Sequence, residues 1–485
     1  MKKLHFILLI ALAGFFSACD HFDVSNDNPD VALNIDRNPE LLLTNFQRNS
    51  IRRAVSSSWS EGNLMAQYGA RIVFTEFDLF NWGDQSGLWN TFYIAIRDAK
   101  ELEKIADQSN LPSYKAVAMI MESWMYQIMT DMYGEIPYTQ AVDAVSGNYT
   151  PEYDTQENIY NSILAQLESA NTLLSAQNLP GIKGDLVFNG DLVKWRKFAN
   201  SLRLRVAMRL SEAKPALAES TIAAIYNDPI NHPVMDSNDD NAVLVFLGAN
   251  PDAHPVTEES VYRVGSYNEY RISETLVGLL EKYNDPRLEF FADPTANSVA
   301  AGTPKIDGMK NGIVDGPAYE YKGGDAFLSK FNINFFFYSP NSNEGRLMIY
   351  PEVAYIFAEA AQRGWIGGNA KTFYEDGIQA SFDYWGLDMP TGYLAQTDVA
   401  FTGQMEQIIN QKYIALFYTD FQGFIEFKRT GFPTTITPGP DAFYSVYPSR
   451  FEYPSKEAVL NGANYDAAVA RQGPDEITTK VWWEK

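Results

Sequence analysis

Apolar residues recur at three- and four-residue spacing over long tracts of the chain, the period that lays one face of a helix against a core. The longest such tract covers residues 101–133 and runs through Leu102, Ala116, Met119, Trp124, Met125 and Met129. The same period marks 155–177, 190–214, 217–227, 273–283, 350–363, 369–383 and 402–418. Asp154, Ser273 and Asn369 stand where N-caps belong, and Gly134 and Gly364 stand where a helix should stop. Several of these helices fall in pairs about 35 to 45 residues apart, a spacing that suits helix–turn–helix solenoid units. No tetratricopeptide consensus is readable, so the pattern predicts a mostly helical protein and only hints at repeats. Two long connections, 228–270 and 291–345, carry turn signals and aromatic runs. Loops of that length are usually functional, or ordered by a ligand or partner.

The first residues carry a different pattern. Lys2 and Lys3 precede an apolar run from Leu4 to Phe16, and Ser17-Ala18-Cys19 follows. This is the layout of a secretory leader, too short to span a bilayer as a helix. Small residues directly before a cysteine predict a lipoprotein leader over 1–18, with the Cys19 thiol taking a diacylglyceryl group. An ordinary secretory leader with a chance cysteine is the plainer alternative. Cys19 is the one cysteine among 485 residues, and a lipid anchor accounts for a leftover thiol in an exported chain. Residues 19–38, rich in Asp, Asn and Pro around Asp27-Asn28-Pro29-Asp30, read as a tether, and 39–485 as a single helical domain.

Charge narrows the partners. Loss of Lys2 and Lys3 with the leader leaves 36 basic against 61 acidic side chains, changing the formal charge from −23 to −25. Such a surface repels nucleic-acid backbones and anionic headgroups alike, so lipid chains, not a basic patch, must hold the protein on a membrane.

A search for catalytic constellations finds none. The mature histidines are His21, His232 and His254, and no zinc-protease, nucleophile-elbow, Walker or dinucleotide motif is present. Asp236, Asn238 and Asp240 place oxygen ligands at alternate positions, as calcium prefers, but the loop glycine and distal glutamate of an EF-hand are missing. They are a calcium candidate beside the plainer reading as a solvated turn. No cofactor is predicted.

Aromatic residues, 14% of the chain, supply the binding candidates. Phe77, Phe80, Trp82, Trp89 and Tyr93 cluster with Asp84 and Asn90, and a second run, Phe335-Phe336-Phe337-Tyr338, lies in the 291–345 connection. Flat ring faces beside short polar side chains suit a sugar, whose C–H groups stack on rings while its hydroxyls bond amides and carboxylates. Phe77, Phe80, Trp82, Asp84, Trp89, Asn90, Phe336 and Tyr338 are therefore the candidate ligand residues. Trp89 and Tyr93, one helical turn apart, equally suit a core.

Ordered sequence blocks give a resemblance. Phe22-Asp23-Val24-Ser25-Asn26-Asp27-Asn28-Pro29, Asp131-Met132-Tyr133-Gly134-Glu135-Ile136-Pro137-Tyr138 and Lys194 to Arg205 come first. Asp285-Pro286-Arg287-Leu288, Glu359 to Gly364, Gln411 to Phe417, Lys428 to Gly431 and Pro448 to Pro454 follow in order. Together they resemble the SusD/RagB family of outer-membrane nutrient-binding lipoproteins from Cys19 to the C-terminus, with Glu135 and Lys428 as small departures. The resemblance implies a mostly α, right-handed solenoid of tetratricopeptide-like helix pairs with long irregular ligand-binding loops. It also implies a lipid-anchored, non-enzymatic protein on the outer membrane, facing the exterior. That protein would capture a glycan or oligosaccharide and deliver it to a TonB-dependent transporter. A peptide ligand or, less readily, a surface glycoside hydrolase are the alternatives. No family motif fixes the ligand residues, and Arg203, Arg205 and Arg209 read as internal staples.

Overall fold

The computed structural model describes residues 38–247, 252–257, 266–332 and 343–485. The predicted Cys19 anchor, the predicted tether up to residue 37, and the Phe336 and Tyr338 candidates lie outside the described residues.

Helices of six residues or more, and the strands, are labelled in chain order. The first half holds α1 (Pro39–Ser57), β1 (Gly69–Arg71), α2 (Ser86–Ser109) and α3 (Pro112–Tyr133), then β2 (Ile136–Pro137) and β3 (Tyr153–Asp154). It continues with α4 (Gln156–Leu174), α5 (Leu192–Arg209), α6 (Pro215–Asn227), β4 (Ala242–Val245), β5 (Tyr270–Ile272) and α7 (Glu274–Lys282). The second half holds β6 (Glu344–Met348), α8 (Tyr350–Gln362), α9 (Ala370–Tyr384), α10 (Met405–Ala415) and α11 (Gln422–Thr430). Two short helices, α12 (Ser455–Leu460) and α13 (Gly462–Gln472), close the chain.

The helices α1 to α6 form one stack, and α8, α9, α10 and α11 form a second, joined to the first where α8 meets α5. These are tetratricopeptide-like helix pairs. The apolar tract 101–133 breaks in two, because Asn110 adopts φ 53° and Pro112 opens α3 at its first turn. From Ala116 to Tyr133 every residue of α3 is buried, as befits a helix that is apolar on nearly all sides.

Caps set the helix ends. Ser273 accepts from the Leu276 amide and Asn369 from the Lys371 amide. Asp154 is not an N-cap: Thr155 caps α4, while the Asp154 carboxylate accepts from the Tyr138 and Thr139 amides at 3.0 and 2.9 Å. Gly134 ends α3 with φ 83°, and a Cβ there would lie 1.8 Å from Oε1 of Gln472. The long connections supply strands: β1 pairs antiparallel with β5, and β4 with β6.

A buried ion pair joins the two stacks, and a network braces the α8–α11 stack from within. Arg205 of α5 grips Glu352 of α8 at 2.7 and 2.6 Å, both side chains 2% exposed. Arg429 reaches Glu359 at 2.7 and 2.6 Å and also binds Glu426, which Lys412 holds at 2.8 Å. Breaking such a buried pair by removing one partner costs about 3–5 kcal/mol, because the other charge is left stranded.

Candidate functional site

The face of α2 nearest its N-terminus carries Trp89, Tyr93 and Arg97 at four-residue spacing, with Asn90 and Ile94 beside them. Trp89 packs tilted on Tyr93 at 4.9 Å and meets Tyr133 edge-on at 5.1 Å, so its ring is held from behind. The Tyr93 hydroxyl donates to the Pro137 carbonyl at 2.7 Å, tying α2 to the β2–β3 hairpin. That hairpin projects the loop 138–152, which carries Val145 fully exposed and Tyr149 77% exposed.

The third wall is α12. The Asp84 carboxylate accepts from the Ser86 amide at 2.7 Å and the Ser455 hydroxyl at 2.9 Å, fixing the start of α12 beside α2. Slight burial opposes it, but these bonds hold Asp84 below its ordinary value. Tyr153 donates to Glu457, whose carboxyl is pushed up by burial. Asn461 and Asn464 donate to the Pro151 and Thr150 carbonyls, each at 2.8 Å, closing the loop onto the junction of α12 and α13.

The walls enclose an open cleft of about 660 Å³, with Trp89 and Tyr93 as floor and Tyr149 and Leu460 as rim. Asn90, Arg97, Lys456 and Glu457 supply polar groups along it. Rings beside amides and charges can hold a polyhydroxylated ligand by stacking and hydrogen bonding. Tyr149 and the α12 residues have no separate signal in the sequence: they reach the cleft through the 134–155 hairpin and a contact with the distant C-terminal segment.

The candidates divide. Trp89 and Asn90 line the cleft, and Asp84 braces it without lining it. Phe80 and Trp82 are 5% and 4% exposed, and Trp82 packs on Phe77, Phe424 and Phe451 at 5.4, 6.0 and 5.6 Å. The loop-like context of 77–82 suggests exposure, but the C-terminal rings cover it, so Phe77, Phe80 and Trp82 build core and not the cleft. The calcium candidate is corrected as well. The Lys197 ammonium sits at 2.9 Å from Asp236 and 2.8 Å from Asp240, while Asn238 donates to the Ala380 carbonyl. An ammonium occupies the position that a calcium ion would need. Among the described residues, no group of His, Cys, Asp and Glu is arranged to hold a metal.

One carboxyl, Glu103, has a strongly raised proton affinity. Burial and a hydrogen bond to Glu122 push Glu103 up to about 9. Lys100 and Gln166 hold Glu122 at 2.8 and 3.2 Å. The pair lies between α2 and α3 and lines no part of the cleft.

The helical-repeat scaffold presents a ring-floored, open cleft, an arrangement that can hold a ligand by stacking and hydrogen bonding. The profile of the SusD-like family, described as starch-binding and associating with the outer membrane, matches residues 32–454. The chain belongs to the SusD-like family. It is similar to a chitin-binding protein of solved structure, at 30% identity and TM-score 0.79, covering 92% of this chain and 100% of that one. A SusD homologue from Bacteroides fragilis NCTC 9343 is 31% identical with TM-score 0.77, over 92% and 99% of the two chains. A chitin-binding SusD homologue from Flavobacterium johnsoniae is 25% identical with TM-score 0.72, over 93% and 97%. No curated protein matches the chain. Among the described residues, no helix is long and apolar enough to cross a membrane.

Proposed function

We propose that the chain is a lipid-anchored surface protein that captures a glycan in the α2–α12 cleft and passes it to a TonB-dependent transporter. In this reading residues 1–18 are removed, Cys19 carries the lipid, 19–38 form the tether, and 39–485 present the cleft to the exterior. The observation that carries it is the cleft itself. Trp89 and Tyr93 are braced from behind, so binding orders few side chains, and Tyr149 supplies a free ring face at the rim. Amide and carboxyl groups of Asn90 and Glu457 stand where hydroxyls of a stacked sugar need partners. The chitin-binding names of two similar structures favour N-acetylated sugars as the first ligands to try.

The test is calorimetric titration of the 20–485 chain with chito-oligosaccharides, malto-oligosaccharides and mixed-sequence oligopeptides. Binding of one glycan series, weakened about tenfold in Tyr149→Ala without loss of folding, is the expected result. Binding of peptides alone would replace the sugar with a peptide ligand. Slow hydrolysis of a bound glycan would overturn the non-enzymatic reading. Anchoring is checked separately: the wild-type chain should take up labelled fatty acid, and Cys19→Ser should not.

A further inference from the structure

A second cavity of about 390 Å³ lies between α7, α10 and the loops at 310–311 and 433–439, and no aromatic ring among the described residues lines it. Its walls are Gln67, Thr275, Asn410, Thr434, Thr435 and Thr437, with Lys282, Lys310, Glu274 and Glu406 as the charged residues. The frame is locked. Gln67 donates to the Thr437 carbonyl at 2.7 Å and accepts from the Thr275 hydroxyl at 2.9 Å. Asn311 donates to the Gly69 carbonyl at 2.7 Å, and a Cβ on Gly439 would lie 2.2 Å from the Asn311 carbonyl oxygen. The two loops therefore touch backbone to backbone, and the cavity is built before any ligand arrives.

Its polar inventory is incomplete within the protein. Asn410 is 3% exposed, and its Oδ1 accepts no hydrogen bond from the described residues, although its amide nitrogen reaches Tyr283 and Glu406 at 3.4 and 3.5 Å. A buried acceptor without a donor is costly, and a ligand hydroxyl would satisfy it. Glu274 is already neutralised by Lys322 at 2.8 Å. Lys282 and Lys310 make no ion pair among the described residues, so positive charge is in excess over the remaining carboxylate, Glu406. On a chain of formal charge −23, two ammonium groups without an ion-pair partner among the described residues are a local concentration of positive charge.

We propose that this cavity is a second binding site, for a small monoanion that also carries hydroxyl groups, a hexuronate being the simplest form. Lys282 and Lys310 take the carboxylate, while the Asn410 oxygen and the Thr434, Thr435 and Thr437 hydroxyls take the sugar hydroxyls. Glu406 accepts from a further hydroxyl and disfavours dianions. The absence of rings separates it from the cleft: here charge and hydrogen bonds select, and stacking plays no part.

The test is titration of the 20–485 chain with glucuronate, with glucose and acetate as the neutral sugar and bare anion. Glucuronate should bind at least tenfold tighter than either, weaken as sodium chloride is raised, and lose about tenfold in each of Lys282→Gln and Lys310→Gln. Both lysines are exposed, so these variants should melt like the wild type. Tyr149→Ala should leave glucuronate binding unchanged, which distinguishes this site from the cleft. Equal affinity for glucose and glucuronate, no binding of glucuronate, or affinity indifferent to both lysine variants would overturn the proposal.

Discussion

Phe77–Trp82 and Trp89–Arg97 are neighbouring stretches with the same taste for rings, yet one is core and the other is the floor of a cleft. Trp82 is enclosed on several sides by Phe77, Phe424 and Phe451, so its ring has no face to offer. Trp89 is nearly as buried, at 5%, and packs against Tyr133, Tyr153 and Tyr453, but it lines the cleft together with Val142 and Tyr149 of the 138–152 loop. A ring's role therefore depends on which distant segment covers it, and not on its own neighbourhood in the chain. A small exposed fraction of a well-braced ring can also matter more than a freely exposed one, because little order is lost on binding.

Four measurements put that contrast at risk. Trp82→Ala should cost about 3–5 kcal/mol of stability, read as a large fall in urea midpoint, while the folded fraction binds ligand with wild-type affinity. A binding defect at unchanged stability would move Trp82 into the site. Next comes a buried carboxyl. Burial, resisted by Arg205, raises Asp420 to about 7. An acid whose folded value is raised gives stability that is fully present below its ordinary value and is lost as pH climbs towards the folded one. Asp420→Asn should therefore remove a fall in stability on the order of 2 kcal/mol between about pH 4 and pH 7, measured by urea unfolding at both values. A variant with the wild-type slope would refute the assignment.

The cleft substitutions should be smaller and opposite in kind. Tyr149→Ala should weaken glycan binding about tenfold, or ~1.4 kcal/mol, with no change in melting temperature. Asn90→Ala, which removes one amide at an exposed position, should cost about 1 kcal/mol of affinity and no stability. If Tyr149→Ala destabilised the fold as Trp82→Ala does, the two regions would not differ as described.

Much of the helical scaffold is legible in the sequence because burial on one face imposes a period, and that period is local. Ranges such as 217–227 and 350–363 therefore fall within a few residues of α6 and α8. The stretch 86–100 escapes because its polar residues are interleaved with rings at the cleft, and α12 and α13 because they are short and largely exposed. Asp154 misleads since a carboxylate before a helix bonds any free amide nearby, and the hairpin amides of Tyr138 and Thr139 are nearer than those of α4. Of the site, Trp89 and Asn90 are legible from ring and amide composition. Tyr149 is not, because the 134–155 hairpin carries it back onto α2, and Glu457 and Leu460 are not, because their proximity to α2 is set by a contact spanning 371 positions.

The Gly134 turn shows how far such contacts reach in time as well as space. Glu135 donates its amide to Gln472 across 337 positions, Trp483 donates to Asp131 across 352, and Arg450 donates to the Tyr133 carbonyl. A chain that grows from its N-terminus makes α3 early but leaves that helix end open until Arg450, Gln472 and Trp483 have appeared. A ribosome that stalls before them should hold a chain with its central helix still waiting for its latch.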